Sequence, residues 1–179
     1  MSALTPDETI LGLLASQPQH GYQLLETFNQ PDHLGNVWNL STSQLYAVLK
    51  RLEREGWITG QQIISDTAPA RTEYVITDAG ARHLQAWLGE EHPSSSIRRV
   101  RVEFLSRMYV AQRLNLPAAP IIARQRESCK EAQARLLSGR HDDAAGIGWL
   151  ATELANAQLE AVLKWIDQCE MTLSSLLHK

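Results

Sequence analysis

Only two cysteines, Cys129 and Cys169, stand in the 179 residues, with neither a C-x-x-C pair nor a histidine at ligand spacing. That excludes a disulfide-stapled scaffold and leaves no complete zinc ligand set, so the two read as reduced thiols of a cytoplasmic protein. Ten glycines and seven prolines are too few for a collagen-like or low-complexity chain. No stretch approaches about 18 uncharged apolar residues, so no membrane span is expected. The opening "MSALTPDETILGLLASQPQ" places acids before a short apolar run interrupted by Pro18, unlike a signal or transit peptide. Catalytic motifs are missing as well: there is no G-x-S-x-G, no P-loop and no HExxH, and Gly146 and Gly148 make no dinucleotide loop. No enzyme, cofactor or metal is expected. Positive charge is also short, 17 Lys and Arg against 20 Asp and Glu for a net of −3. That excludes a basic nucleic-acid coat and a polybasic membrane anchor.

What is present is helical periodicity with clear stops. Thr5, Pro6 and Glu8 read as a capping box with proline at the first helical position, opening a helix with Ile10, Leu11, Leu13 and Leu14 on its apolar face. A second helix is expected from about His20-Gly21, burying Leu24, Leu25 and Phe28, before a loop marked by Pro31, Asp32, Gly35 and Asn36. Ser41 is the next N-cap, for "STSQLYAVLKRLEREG". There Leu45, Val48, Leu49 and Leu52 form one stripe. Ser43, Ala47, Lys50 and Arg54 fall opposite, with Tyr46 on the flank and Gly56 ending the helix. Two β-prone runs, "WITGQQII" and "TEYVIT", follow around the turn "SDTAPA", and Thr77-Asp78 caps a helix holding Leu84, Trp87 and Leu88. This is the order of a winged helix-turn-helix: three helices, a two-stranded wing and a linking helix.

"EEHPSSS", residues 90–96, is the one convincing linker, which gives an N-terminal domain of residues 1–90 and a C-terminal region of 91–179. That region reads as helical over 97–114, 119–138 and from after Asp142-Asp143 to about 177. The fold class is mainly α. In the last helix Leu159, Val162, Leu163, Ile166, Cys169, Leu173 and Leu176 keep a three- and four-residue spacing. The seam suits burial against a second copy, making this a dimerisation region, or closure of an intrachain three-helix bundle. The five tryptophans read mainly as core. Trp149 and Trp165, with Arg98, are candidates for a planar-ligand pocket. Arg98, Arg99, Arg101 and Arg107 form a solvated face or an acid-binding patch.

A helix that enters a major groove needs small polar residues at its start and cations further along. Ser41, Thr42, Ser43 and Gln44 meet the first need, and glutamine can read adenine with both amide atoms. Lys50 and Arg54 meet the second, and Tyr46 can offer its hydroxyl to a phosphate. In the wing only Arg71 is available for the minor groove.

Together "ILGLLASQPQHGYQLLETF", "WNLSTSQLYAVLKRLEREGWI" and "TEYVITDAG" resemble the PadR family of bacterial transcriptional regulators, over about residues 8–88. "EFLSRMYVAQRL" and "LEAVLKWIDQ" carry a weaker likeness to the family's longer-tailed branch. The resemblance implies a homodimeric repressor on an operator, tuned by a small aromatic or phenolic effector. It places Tyr22 and Tyr46 near phosphates and Ser43, Gln44 and Lys50 on the groove-facing stretch. Two departures stand out: Thr42-Ser43 replaces the usual Gly-Thr, and the basic wing tip is reduced to Arg71. A rival expectation comes from charge. Residues 1–90 hold 5 cations and 10 acids, whereas 91–179 hold 12 and 10. So acidic an N-terminal half also suits a winged-helix protein-interaction module with weak or no direct DNA binding.

Overall fold

The structure, a computed structural model, describes residues 4–65, 68–139 and 146–176, with backbone alone at 64–65, 68–70 and 173–176. Asp66 and Thr67 of the expected turn and the Asp142-Asp143 pair lie outside the described residues, as do the side chains of Leu173 and Leu176, whereas residues 68–70, expected in that turn, already belong to the second wing strand. The chain divides into two compact units, and not by a single cut near residue 90. The first runs through Gly89 and also takes in Leu105–Pro117; the second holds Glu90–Phe104 and the chain from Ala118.

In the first unit α1 (Asp7–Ser16), α2 (Gly21–Asn29), α3 (Thr42–Arg54) and α4 (Asp78–Leu88) surround a core joined by α6 (Leu105–Arg113). The α3 stripe is buried as its spacing predicts, with Leu45, Val48, Leu49 and Leu52 all inside. The expected cap of α1 is not formed. Pro6, not Thr5, stands at the N-cap, with no side-chain hydrogen bond. The physical reason is competition: Asp7 is held by Arg51 of α3, with Nε 3.1 Å from Oδ2, and Glu8 Oε1 lies 3.1 Å from His83 Nε2 of α4. The first-turn acids of α1 therefore tie it to two other helices. Arg51 consequently holds its proton above the ordinary arginine range, chiefly through its hydrogen bond to Asp7.

The wing gains a strand that periodicity does not reveal. β1 (Gln19–His20) pairs antiparallel with β3 (Ala68–Ile76), which pairs with β2 (Ile58–Ser65), so the sheet order is β1-β3-β2. Two residues are too few to show alternation. The loop after α2 is pinned by buried Leu34 and Leu40, and by Trp38, whose indole N–H donates to Ser106 Oγ at 2.9 Å.

In the second unit the expected single helix from residue 97 is α5 (Ile97–Arg99) followed by a π-helical turn, Val100–Phe104. The helix α7 (Ala119–Ser138) runs antiparallel to α8 (Ile147–Leu176): Arg126 binds Asp167 at 3.0 Å and also Glu170, while Gln133 binds Asn156 at 3.0 Å. The break ahead of α7 comes at Asn115, whose φ of +53° suits an asparagine. The α8 seam assigned to a second copy is turned inward instead. Leu159 and Ile166 are buried, Val162, Leu163 and Cys169 are half-buried, and Trp165 sits edge-on to Phe104 at 5.8 Å. Burial pushes the Cys129 and Cys169 thiols upward, away from the reactive thiolate, and both are free.

Gly12 marks a tight helix crossing in the first unit. A Cβ built there would lie 2.4 Å from Cγ1 of Val110, a fully buried, branched side chain of α6. Gly12→Ala should therefore destabilise the unit by about 1–3 kcal/mol through overpacking. Val110→Ala in that background should restore part of the loss in chemical denaturation; an unaffected midpoint for Gly12→Ala would contradict the crossing.

Candidate nucleic-acid interface

The rotation of α3 is set by its buried stripe, and the opposite face is left to solvent. Ser41, Thr42, Ser43, Gln44, Lys50 and Arg54 are all exposed, and Tyr46 is about half so at 47%. The helix start is more rigid than a single cap implies. The Ser41 Oγ accepts the Gln44 N–H at 3.3 Å, while Gln44 Oε1 accepts the Ser41 N–H at 2.9 Å, closing a reciprocal capping box. Ser43 Oγ lies 3.2 Å from Ser41 Oγ. This arrangement narrows what Gln44 can do. Bidentate adenine recognition needs both amide atoms. With Oε1 engaged at the helix start, Nε2 remains as a donor for a single base acceptor.

Tyr46 links this helix to the preceding one. A Cβ on Gly21 would meet its hydroxyl at 2.8 Å, so the phenol rests on α2 only because that residue is glycine. Tyr22, next in the chain, is 71% exposed. The two tyrosines thus flank the junction of α2 and α3. Arg54 reaches Glu55 at 3.2 Å, an exposed pair that leaves its charge partly offset, whereas Lys50 stands out to solvent. On β3 Arg71 is exposed and stands opposite Ile63 of β2, next to a bulge in the wing.

Two residues that sequence reasoning did not select hold these parts together. His20, at the N-cap of α2, donates its backbone N–H to Gln23 Oε1 at 2.9 Å, and its Nδ1 lies 3.1 Å from the Thr72 carbonyl oxygen of β3. Glu53 of α3 accepts the Gly60 N–H of β2 at 3.0 Å. The H-G-Y triplet was the available signal for His20. Nothing in the periodicity pointed to Glu53.

The arginine cluster divides. Arg107 is buried, its Nε donating to the Trp87 carbonyl at 3.0 Å and its guanidinium 4.9 Å from the Trp87 ring centroid, so it belongs to the packing of the first unit. Arg99 pairs with Glu103, while Arg98 and Arg101 are exposed. The candidate effector residues are not brought into one pocket within a chain. Trp149 and Trp165 are 16 positions apart on one helix, about 24 Å along its axis at 1.5 Å per residue. A cleft of 530 Å³ in the second unit is lined by others, among them Ser96, Ile97, Arg135, Leu136, Gln158 and Leu159. Among the described residues no group of His, Cys, Asp and Glu is arranged to hold a metal ion, and no helix is long and apolar enough to cross a membrane.

Comparison with known proteins points to one family. The family model described as "Transcriptional regulator PadR-like family" matches residues 10–86. The negative transcriptional regulator PadR of Bacillus subtilis (strain 168) is 30% identical over 133 residues, covering 74% of this chain and 71% of that one. A crystal structure of Bacillus subtilis PadR in complex with operator DNA is similar at 25% identity and a TM-score of 0.47, over 91% of this chain and 96% of that one. A second, in complex with p-coumaric acid, is similar at 24% identity and a TM-score of 0.43, over 92% of each.

The capping box makes a stability prediction independent of any ligand. Gln44→Ala should cost about 0.5–1.5 kcal/mol, the net worth of one hydrogen bond. Gln44→Glu should be neutral, because Ser-x-x-Glu closes the same box. Equal melting temperatures for all three proteins would show that the box contributes nothing.

Proposed function

The chain belongs to the PadR-like family of transcriptional regulators, and from that premise we propose that it is a homodimeric repressor of a pseudo-palindromic operator, released by a small aromatic effector. The observation that carries this reading is the exposed, doubly capped start of α3, with Lys50 further along the same helix and Tyr22 and Tyr46 beside it. Base edges would meet Ser43 and the Nε2 of Gln44; phosphates would meet Tyr22, Tyr46, Lys50 and Arg54; the wing would add Arg71. Thr42 and the N–H groups of the first turn of α3 add phosphate donors without net charge. Repression is read from the 30%-identical negative regulator, and the aromatic effector from the p-coumaric acid that the same Bacillus subtilis protein binds. Trp149, Trp165 and Arg98 then serve an effector only if a second copy completes their surroundings.

Pairing is supported by the outer face of α8. Ile147, Leu150, Leu154, Ala157, Ala161, Lys164, Gln168 and Met171 repeat at alternating three- and four-residue steps, and every one is exposed. That is the seven-residue repeat of a coiled-coil seam, with alanines at its middle where two helices approach closely. A second copy of the same face is the self-complementary partner.

Polarisation assays on operator and random DNA test the contacts. Gln44→Glu should keep the fold yet weaken operator binding by about 1–3 kcal/mol, since the donor is lost. Lys50→Ala should weaken both DNAs alike and reduce the salt slope by about 0.9. An unchanged operator affinity in Gln44→Glu would remove its base-reading role. For assembly, Leu154→Glu should yield monomers in light scattering and lower operator affinity about 100-fold or more, through loss of bivalency. A persistent dimer would place pairing elsewhere.

A further inference from the structure

We propose that Glu53 is the positioning residue that sets the wing against the recognition helix, so that Arg71 reaches DNA only when the Glu53–Gly60 bond is made. This rests on the DNA-binding reading above. β2 ends the sheet on one side in the order β1-β3-β2, so among the described residues its outward N–H groups have no strand to bond. Glu53, on the last turn of α3, supplies the acceptor for one of them, the Gly60 N–H at 3.0 Å.

Gly60 is shaped for that contact. A Cβ there would lie 2.6 Å from Glu53 Oε1, 2.9 Å from Thr72 Cγ2 and 3.3 Å from Tyr74 Cε1. Only a residue without a side chain lets the carboxylate come onto the strand. The root of the wing is fixed separately, by Thr77 Oγ1 donating to the Gly56 carbonyl at 2.7 Å and by the Trp57 N–H donating to Leu52 at 2.9 Å. Between those root bonds and the bond at Gly60 lie two strand residues, Ile58 and Thr59. The Glu53 bond therefore acts with leverage on the strand's direction rather than on its attachment. On the other side of the sheet His20 holds β3 at Thr72. The wing is thus held between the start of α2 and the end of α3, the two helices that carry Tyr22 and Lys50.

An acid one position before Arg54 is electrostatically unfavourable on a surface that approaches phosphates, and its hydrogen bond accounts for its place there. The substitution Glu53→Gln keeps an acceptor and loses the charge, which separates the two effects: Glu53→Gln preserves the wing, Glu53→Ala releases it. Glu53→Ala should lower operator affinity about fivefold to tenfold, the scale of one lost contact. Arg71→Ala should do the same, and the double variant should be no weaker than either alone, because a released wing no longer delivers Arg71. Glu53→Gln should bind at least as well as the natural chain. In hydrogen exchange without DNA, the Gly60 amide should lose protection in Glu53→Ala and keep it in Glu53→Gln, while both proteins still unfold cooperatively. Additive losses in the double variant, or a Glu53→Gln protein as weak as Glu53→Ala, would overturn the proposal. So would an Arg71→Ala protein of full affinity, which leaves operator binding through α3 standing. A natural chain that binds no operator at low salt would overturn the DNA-binding reading itself.

Discussion

The burial of Leu45, Val48, Leu49 and Leu52 is the constraint on which the rest of the molecule depends, because it fixes the rotation of α3 about its own axis. Once that stripe is inside, Ser43, Lys50 and Arg54 must face outward, and Tyr46 must lie on the flank where Gly21 makes room for it. The apolar stripe alone does not fix the helix along its length. Arg51 does that by reaching Asp7 of α1, and the reciprocal bonds of Ser41 and Gln44 define its first turn. The same helix thus buries one face in the core and leaves the other to solvent, the two separated by angle alone.

This organisation gives four acids of the N-terminal half partners within the fold. Asp7 pairs with Arg51, Glu8 with His83, Glu53 with a backbone N–H of β2, and Glu73 lies 4.0 Å from His20. These carboxylates hold elements to one another. On the DNA-binding reading proposed above, few cations face a duplex, so binding would depend on directed donors at the start of α3 and on presenting two such surfaces at once. The outer face of α8 is where that doubling is supported: its inner face is already closed against its own chain by Leu159 and Ile166.

Much of this was legible because the strongest signals were local. The N-cap at Ser41, the α3 stripe, the bounds of α7 and the presence of two wing strands follow from residue spacing and turn chemistry, although the second strand starts at Ala68, inside the expected turn. What escaped is long-range or ambiguous. The acids of α1 resembled a capping box because nothing local shows that Arg51 and His83 claim them. β1 is too short to carry a pattern. The Ser-x-x-Gln spacing of Ser41 and Gln44 suits a helix cap and a groove-facing amide alike, and spacing alone does not show that Oε1 is engaged. In α8 both faces carry apolar residues at three- and four-residue steps, so spacing could not decide which one the chain keeps for itself. Trp149 and Trp165 are both aromatic and in the same half of the chain, but they share one helix whose length holds them about 24 Å apart.

The central claim is that two copies present α3 to one duplex. Sequencing of DNA selected from a random pool by the purified full chain tests it most directly. The account predicts an inverted repeat with half-sites about 10 base pairs apart, centre to centre, as two helices entering successive major grooves require. An unenriched pool, or a single asymmetric motif without a repeat, would contradict it.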